Sequence, residues 1–158
     1  MSLDHYFLSK NQDKEVLYFG HNFFIHEAFK HVLNSNYDFD KFEVHKEDIK
    51  NSVEKLESIL DCFQTEEHDD TVSFDHGTDD WLVNMNHVIV DDTGCVALEK
   101  AILMYPSAVA NQLKYHGGTL LSGLDYMFFK IKDAYEKLKS LLNTFDFEND
   151  KLLISQGG

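Results

Sequence analysis

The 158-residue chain carries 28 acidic residues against 14 lysines, contains no arginine and has a formal net charge of −14. Without guanidinium groups it has no bidentate contacts to offer phosphate or guanine, which argues against direct nucleic-acid binding. Its 43% hydrophobic and 27% charged residues suit one folded domain, 1–158, with a real core. No apolar run reaches the roughly 18 residues of a membrane span, and no charged-then-apolar leader opens the chain, so a cytoplasmic protein off the membrane is expected.

In chain order, residues 2–8 (SLDHYFL) and 15–19 (EVLYF) alternate and are rich in strand-forming aromatics, and the polar SKNQDK between them predicts a hairpin. Gly20 breaks the second strand. Asn22 is placed to cap a helix running to about Leu33, with Phe23, Phe24, Ala28 and Val32 on its buried side. Phe39 to Val44 reads as a short strand. A helix from about Lys46 to Phe63 follows, with Ile49, Val53, Leu56, Ile59, Leu60 and Phe63 on one stripe.

From Gln64 to Asp80 the chain is acidic and weakly patterned, which predicts an exposed loop. Trp81 to Val90 has strand composition, and Asp91-Asp92-Thr93-Gly94 is a turn signal. Cys95 to Tyr105 suits a helix or a strand and should stop at Pro106, the only proline. Ser107 to Tyr115 is ambiguous, and Tyr115-His116-Gly117-Gly118 reads as a loop.

The most periodic segment is Leu124 to Phe145. Leu124, Met127, Phe128, Ile131, Ala134, Tyr135, Leu138, Leu141, Leu142 and Phe145 form one helical face. Ser122 and Asp125 suggest a cap at its start, and Lys130, Lys132, Lys137 and Lys139 take the far side. Asp150 to Ser155 predicts a terminal edge strand. Strands and helices mixed without strict alternation point to α+β: an antiparallel sheet built from the N-terminal hairpin, the strand near Phe42 and the strand near Val88, covered by about three helices.

Short motifs carry a family resemblance. Met1-Ser2-Leu3-Asp4-His5-Tyr6-Phe7 resembles the opening M-G-L-D-M-Y-L of a family of small phage and prophage proteins. That family continues with a Y-W-R-K-x-N-x-I-H-x-W-F pattern, to which residues 18–29 are similar at Tyr18, Ile25, His26 and Phe29. Phe42 to Leu60 resembles the strand and helix that follow, and Ser122-Gly123-Leu124-Asp125-Tyr126 echoes a closing glycine-aromatic segment. The chain departs from the pattern at Ser2, in the missing basic pair before Asn22, and in the four-residue step from Asn22 to His26. Gln64 to Tyr105 has no counterpart. The resemblance covers about half the chain and implies a phage-type accessory protein without specifying any chemistry.

Catalytic signatures are weak. His21, His26 and His31 recur every five residues, about 140° apart on a helix, and cannot converge on one ion. No nucleophile elbow surrounds Ser107, Ser122 or Cys62, and no phosphate-binding glycine loop is present. Cys62 and Cys95 lack metal-motif spacing and read as thiols. No cofactor is expected.

The charge is uneven, and that is the main functional cue. Between Lys55 and Lys100 there is no lysine, while twelve of the 28 acids fall there. Carboxylates punctuated by aromatics suit docking on a basic protein surface. The expected binding residues are Glu66, Glu67, Asp69, Asp70, Phe74, Asp75, Asp79, Asp80 and Trp81. This predicts a non-enzymatic interaction protein, of the kind that occupies a nucleic-acid-binding site on its partner. The alternative is a small metal-dependent hydrolase using His68, Asp69, Asp75 and His76, since hard cations want several oxygens from one turn. Exposed aromatics or sheet edges also leave a homodimer open.

Overall fold

The computed structural model describes residues 4–33, 40–63, 65–76, 79–89, 93–116 and 120–157, with backbone alone for those among 65–95 and 115–125. The fold is α+β, as the mixed element order predicts. Strands β1 (Asp4–Ser9) and β2 (Lys14–Phe19) form the expected hairpin. Asp13 takes a positive φ of 47° in its turn, a conformation aspartate tolerates better than most residues.

Helix α1 (Phe23–Ala28) starts at Asn22, whose side-chain oxygen accepts from the backbone N–H groups of Phe24 and Ile25. It ends five residues earlier than the pattern suggests. Phe29 leaves the spiral at φ −111° and seats its ring edge-on against Phe7, centroids 5.2 Å apart. Burial therefore falls on Phe23, Phe24, Ile25 and Phe29, with Ala28 and Val32 only partly covered.

Strand β3 (Lys41–Val44) leads into helix α2 (Lys46–Leu60), where Asp48 accepts from the N–H of His45 at 3.0 Å. Glu47 and Asp48 also place negative charge at the helix's positive end. Its stripe is buried at Ile49, Val53, Leu56 and Ile59, and Phe63 packs edge-on against Phe128 just beyond.

The acidic stretch corrects the expectation of a loop. It forms β4 (Thr65–His76), paired antiparallel with β5 (Asp79–Ile89) in a separate two-stranded sheet. Val72, Ser73 and Phe74 pair with Met85, Asn84 and Val83, so both strands alternate apolar, polar, apolar here despite the flanking acids. The strand near Val88 is thus absent from the main sheet. Gly77 and Thr78 between the two strands, and Asp91-Asp92 in the expected turn, lie outside the described residues.

Cys95 to Met104 resolves as helix, within α3 (Thr93–Met104). Pro106 stops α3 and also opens α4 (Pro106–His116), taking the first helical position, where its missing N–H costs nothing. Helix α5 (Leu120–Thr144) begins four residues before the expected start, so Ser122 lies within it instead of capping it. Its predicted face is buried at Met127, Phe128, Ile131, Ala134, Leu138 and Leu141. Lys130, expected outside, is buried along with Tyr126 because α1 and its cap close over that turn.

The last strand, β6 (Leu152–Gly157), corrects a second expectation. It is interior, pairing with β1 on one side and β3 on the other, so the sheet order is β2-β1-β6-β3, all antiparallel. Phe7, Phe19, Val44, Leu152 and Ile154 bury on the helix side. Five helices rather than three are described, and none is long and apolar enough to cross a membrane.

Candidate functional site

The backbone of the β4–β5 hairpin distributes the expected docking residues. Glu66 pairs with Val88 and Glu67 with His87, and the ladder then resumes at Val72 with Met85. His68, Asp69, Asp70 and Thr71 therefore stand opposite the single residue Asn86, a wide bulge that takes Asp69 and Asp70 out of regular pairing. Phe74 pairs with Val83 and Asp75 with Leu82, and His76 meets Asp79 at the closing end. Asp80 and Trp81 are the β5 residues between those last two pairs, a second bulge.

The four residues considered for a cation fall in two places. His68 and Asp69 belong to the first bulge and Asp75 and His76 to the closing end. The paired run Val72–Asp75 between them is about 10 Å of strand.

Seven carboxylates and no lysine lie between Thr65 and Ile89. Among the described residues neither outer edge of this sheet pairs with a further strand. A lone two-stranded ribbon is marginal in water, and open edges accept another chain.

The described side chains hold three polar arrangements that spacing alone does not reveal. The first is a cleft of about 310 Å³ between α1, α2 and the α3–α4 junction, lined by Glu27, His31, Asp48, Lys55 and Tyr105 among others. Glu27 uses both carboxylate oxygens on the N–H groups of Ser107 and Ala108, at 3.0–3.5 Å, so a charge from α1 stabilises the positive end of α4. His31 lies beyond α1 and reaches Asp48, Nε2 to Oδ1 3.1 Å. The Tyr105 ring is buried, and its hydroxyl has no hydrogen-bond partner among the described residues. Burial, and then the Glu27 carboxylate, push that phenol's pKa upward. The cleft's charges are largely spent on holding helices together.

The second arrangement joins β1 to α1. His26 Nδ1 and His5 Nε2 are 3.3 Å apart, with His5 fully buried. Burial lowers the His26 pKa and Lys30 lowers it further, while a hydrogen bond with Gln156 opposes them. His21, at φ 49°, instead packs edge-on against Phe23. The three histidines go to three different places. The alternation of β1 was the signal for His5, because it puts His5 on the same face as Phe7.

The third is Lys130, held to the Gly20 carbonyl at 3.4 Å and over the Tyr126 ring at 5.3 Å. Burial brings its pKa down to about 8 against the raising effect of Asp133, and burial alone pushes Tyr126 up to about 12. Asn22 ties the same turn down by donating to the Lys130 carbonyl at 3.0 Å.

Among the described residues no three histidine, cysteine or carboxylate side chains cluster as metal ligands, a statement that does not extend to residues 65–95. Cys62 is a free thiol near the Ser58 carbonyl, and the Cys95 side chain lies outside the described ones. No protein-family model, curated protein or solved structure matches the chain.

Proposed function

We propose that this protein is a non-enzymatic interaction protein that docks its β4–β5 hairpin on a basic surface of a partner protein. The observation that carries this reading is the coincidence of charge with architecture. The chain's lysine-free acidic region also forms the two-stranded sheet, in which each strand has a neighbour on one side only among the described residues. Carboxylates along such a ribbon raise the encounter rate with a cationic partner, and the aromatic residues Phe74 and Trp81 serve as anchors. A nucleic-acid-binding site is a natural target, since it presents cations spaced to meet a polyanion. The resemblance of about half the chain, through short motifs, to small phage proteins fits an accessory role of this kind.

The test is a pull-down from lysate of the source organism, comparing wild type with the D69N/D70N/D79N/D80N variant. A basic protein retained by wild type and lost by the variant supports the reading. Equal retention by both, or none by either, contradicts it. Metal content of untagged protein, measured alongside, decides for or against the alternative hydrolase using His68, Asp69, Asp75 and His76.

A further inference from the structure

Helix α2 turns a polar stripe toward α1 and the α3–α4 junction. Asp48, Asn51, Ser52 and Lys55 follow one another at three- and four-residue steps on one side of the helix, and all four line the cleft of about 310 Å³. That volume lies at the lower end of the range for small-molecule sites.

Part of this stripe and of the opposite wall is already committed. Glu27 accepts from the N–H groups of Ser107 and Ala108. One oxygen of Asp48 meets His31 and the other accepts from the His45 N–H. The Ser52 hydroxyl donates to the Asp48 carbonyl at 2.9 Å. Three groups are left over. Lys41, Lys132, Lys137 and Lys151 each lie within 4.0 Å of a carboxylate, but Lys55 pairs with neither Glu27 nor Asp48, although they line the same cleft. The Asn51 amide has no hydrogen bond among the described residues. The third is the Tyr105 hydroxyl, on a residue only 2% exposed and again without a partner among the described residues. An exposed lysine or asparagine is satisfied by water, whereas a buried hydroxyl without an acceptor is destabilising.

These groups choose the ligand. The ammonium, the amide N–H and the phenol all donate, and burial and then Glu27 push the phenol's pKa upward and keep its proton on at neutral pH. A cationic ligand would face Lys55 and find both carboxylates engaged. A phosphate dianion would bring two charges beside Glu27 and Asp48. A single carboxylate offers two acceptor oxygens at one unit of charge. Ala28, Met104 and the Tyr105 ring supply apolar wall beside the donors. We propose that this cleft binds a small organic monocarboxylate, its oxygens accepting from Lys55, Asn51 and the Tyr105 hydroxyl and its apolar part lying against Ala28 and Met104. The site belongs to the sheet-and-helix body and does not rest on hairpin docking.

The probe is phenylpropionate, titrated into the full chain and followed in amide nitrogen–proton NMR spectra. Phenylpropanamide, phenylpropylamine and inorganic phosphate are the controls. Saturable shifts are expected at Asn51, Lys55 and Tyr105 with a Kd of about 1 mM or tighter, and at least about tenfold weaker binding of each control. Lys55→Met should lose that preference for the carboxylate over the amide, and Lys55→Arg should keep it. Tyr105→Phe should weaken phenylpropionate several-fold while raising the urea midpoint of the free protein, since it removes a buried hydroxyl that lacks an acceptor.

Absence of saturable shifts in the cleft at about 10 mM phenylpropionate overturns the proposal, as does equal affinity for the amide or a preference that survives Lys55→Met. Phosphate binding more tightly than phenylpropionate would assign the cleft to inorganic anions and overturn it too. A lowered midpoint of Tyr105→Phe with unchanged affinity would show that the hydroxyl serves packing alone, against the role given to it here.

Discussion

The four-stranded sheet with α1, α2 and α5, and the segment from Thr65 to Met104, solve opposite problems. In the first, every strong sequence pattern is spent internally. The apolar alternation of β1 buries Phe7 between Phe19 and Phe29, and the stripe of α5 buries Met127, Ile131 and Leu138. Some of its polar residues are committed as well, with Asn22 capping α1 and Glu27 capping α4. In the second, two features stand outside that sheet and its core. The β4–β5 ladder carries seven carboxylates and stops at two strands, and α3 leaves Leu103 in solvent. The contrast separates residues committed to the core from the acidic ribbon and the Leu103 side chain, which stand outside the four-stranded sheet.

Substitutions can break the comparison, and the largest effect belongs to the sheet-and-helix body. Phe7→Ala should cost about 3–5 kcal/mol in urea unfolding, because the lost ring leaves a cavity between two further rings. An effect under about 1 kcal/mol would mean the body is not packed as described.

A smaller and pH-dependent effect is expected at Lys130→Met, which should stabilise by roughly 1–3 kcal/mol at pH 7 by removing a buried charge. The sign follows from the lowered pKa. Between about 8 and the ordinary 10.5 the unfolded chain still holds a proton that the folded one has released. Wild-type stability therefore rises with pH across that window, and the advantage of the methionine should shrink to little above it. A difference that grows with pH would contradict the burial of this amine.

A gentler slope is expected from His26. Its lowered pKa means the unfolded chain takes up a proton first as pH falls below 6.5, so His26→Gln should flatten the loss of stability under mildly acidic conditions. The smallest effects belong to the outward segment. Leu103→Ser and the D69N/D70N/D79N/D80N variant should each leave unfolding free energy within about 0.5 kcal/mol of wild type.

Much of the body was legible because local signals and tertiary use agree there. Asn22, the α2 stripe and the α5 face each say locally what packing then does. The misses have physical causes. Alternation in β4 is confined to Val72–Phe74 and is flanked by acids, which hid the strand. β6 reads as an edge strand until its two neighbours, from the far end of the chain, are known. Lys130 looked like surface because the α1 cap that covers it lies 108 residues away. The Glu27 clasp on α4 spans 80 residues and has no local trace. The acidic candidates could be named from sequence, but not their division between two bulges, and the exposed face of α3 was not legible at all. Its alanines and leucines look the same whichever side is buried.

Backbone hydrogen exchange of the full chain, free and saturated with a short oligolysine peptide, tests the docking account most directly. The account predicts weak protection of Thr65–Ile89 in the free protein, and protection gained there on binding. The amides of β1, β6 and the middle of α5 should be unchanged. Protection gained on the main sheet, with the hairpin unaffected, would contradict it.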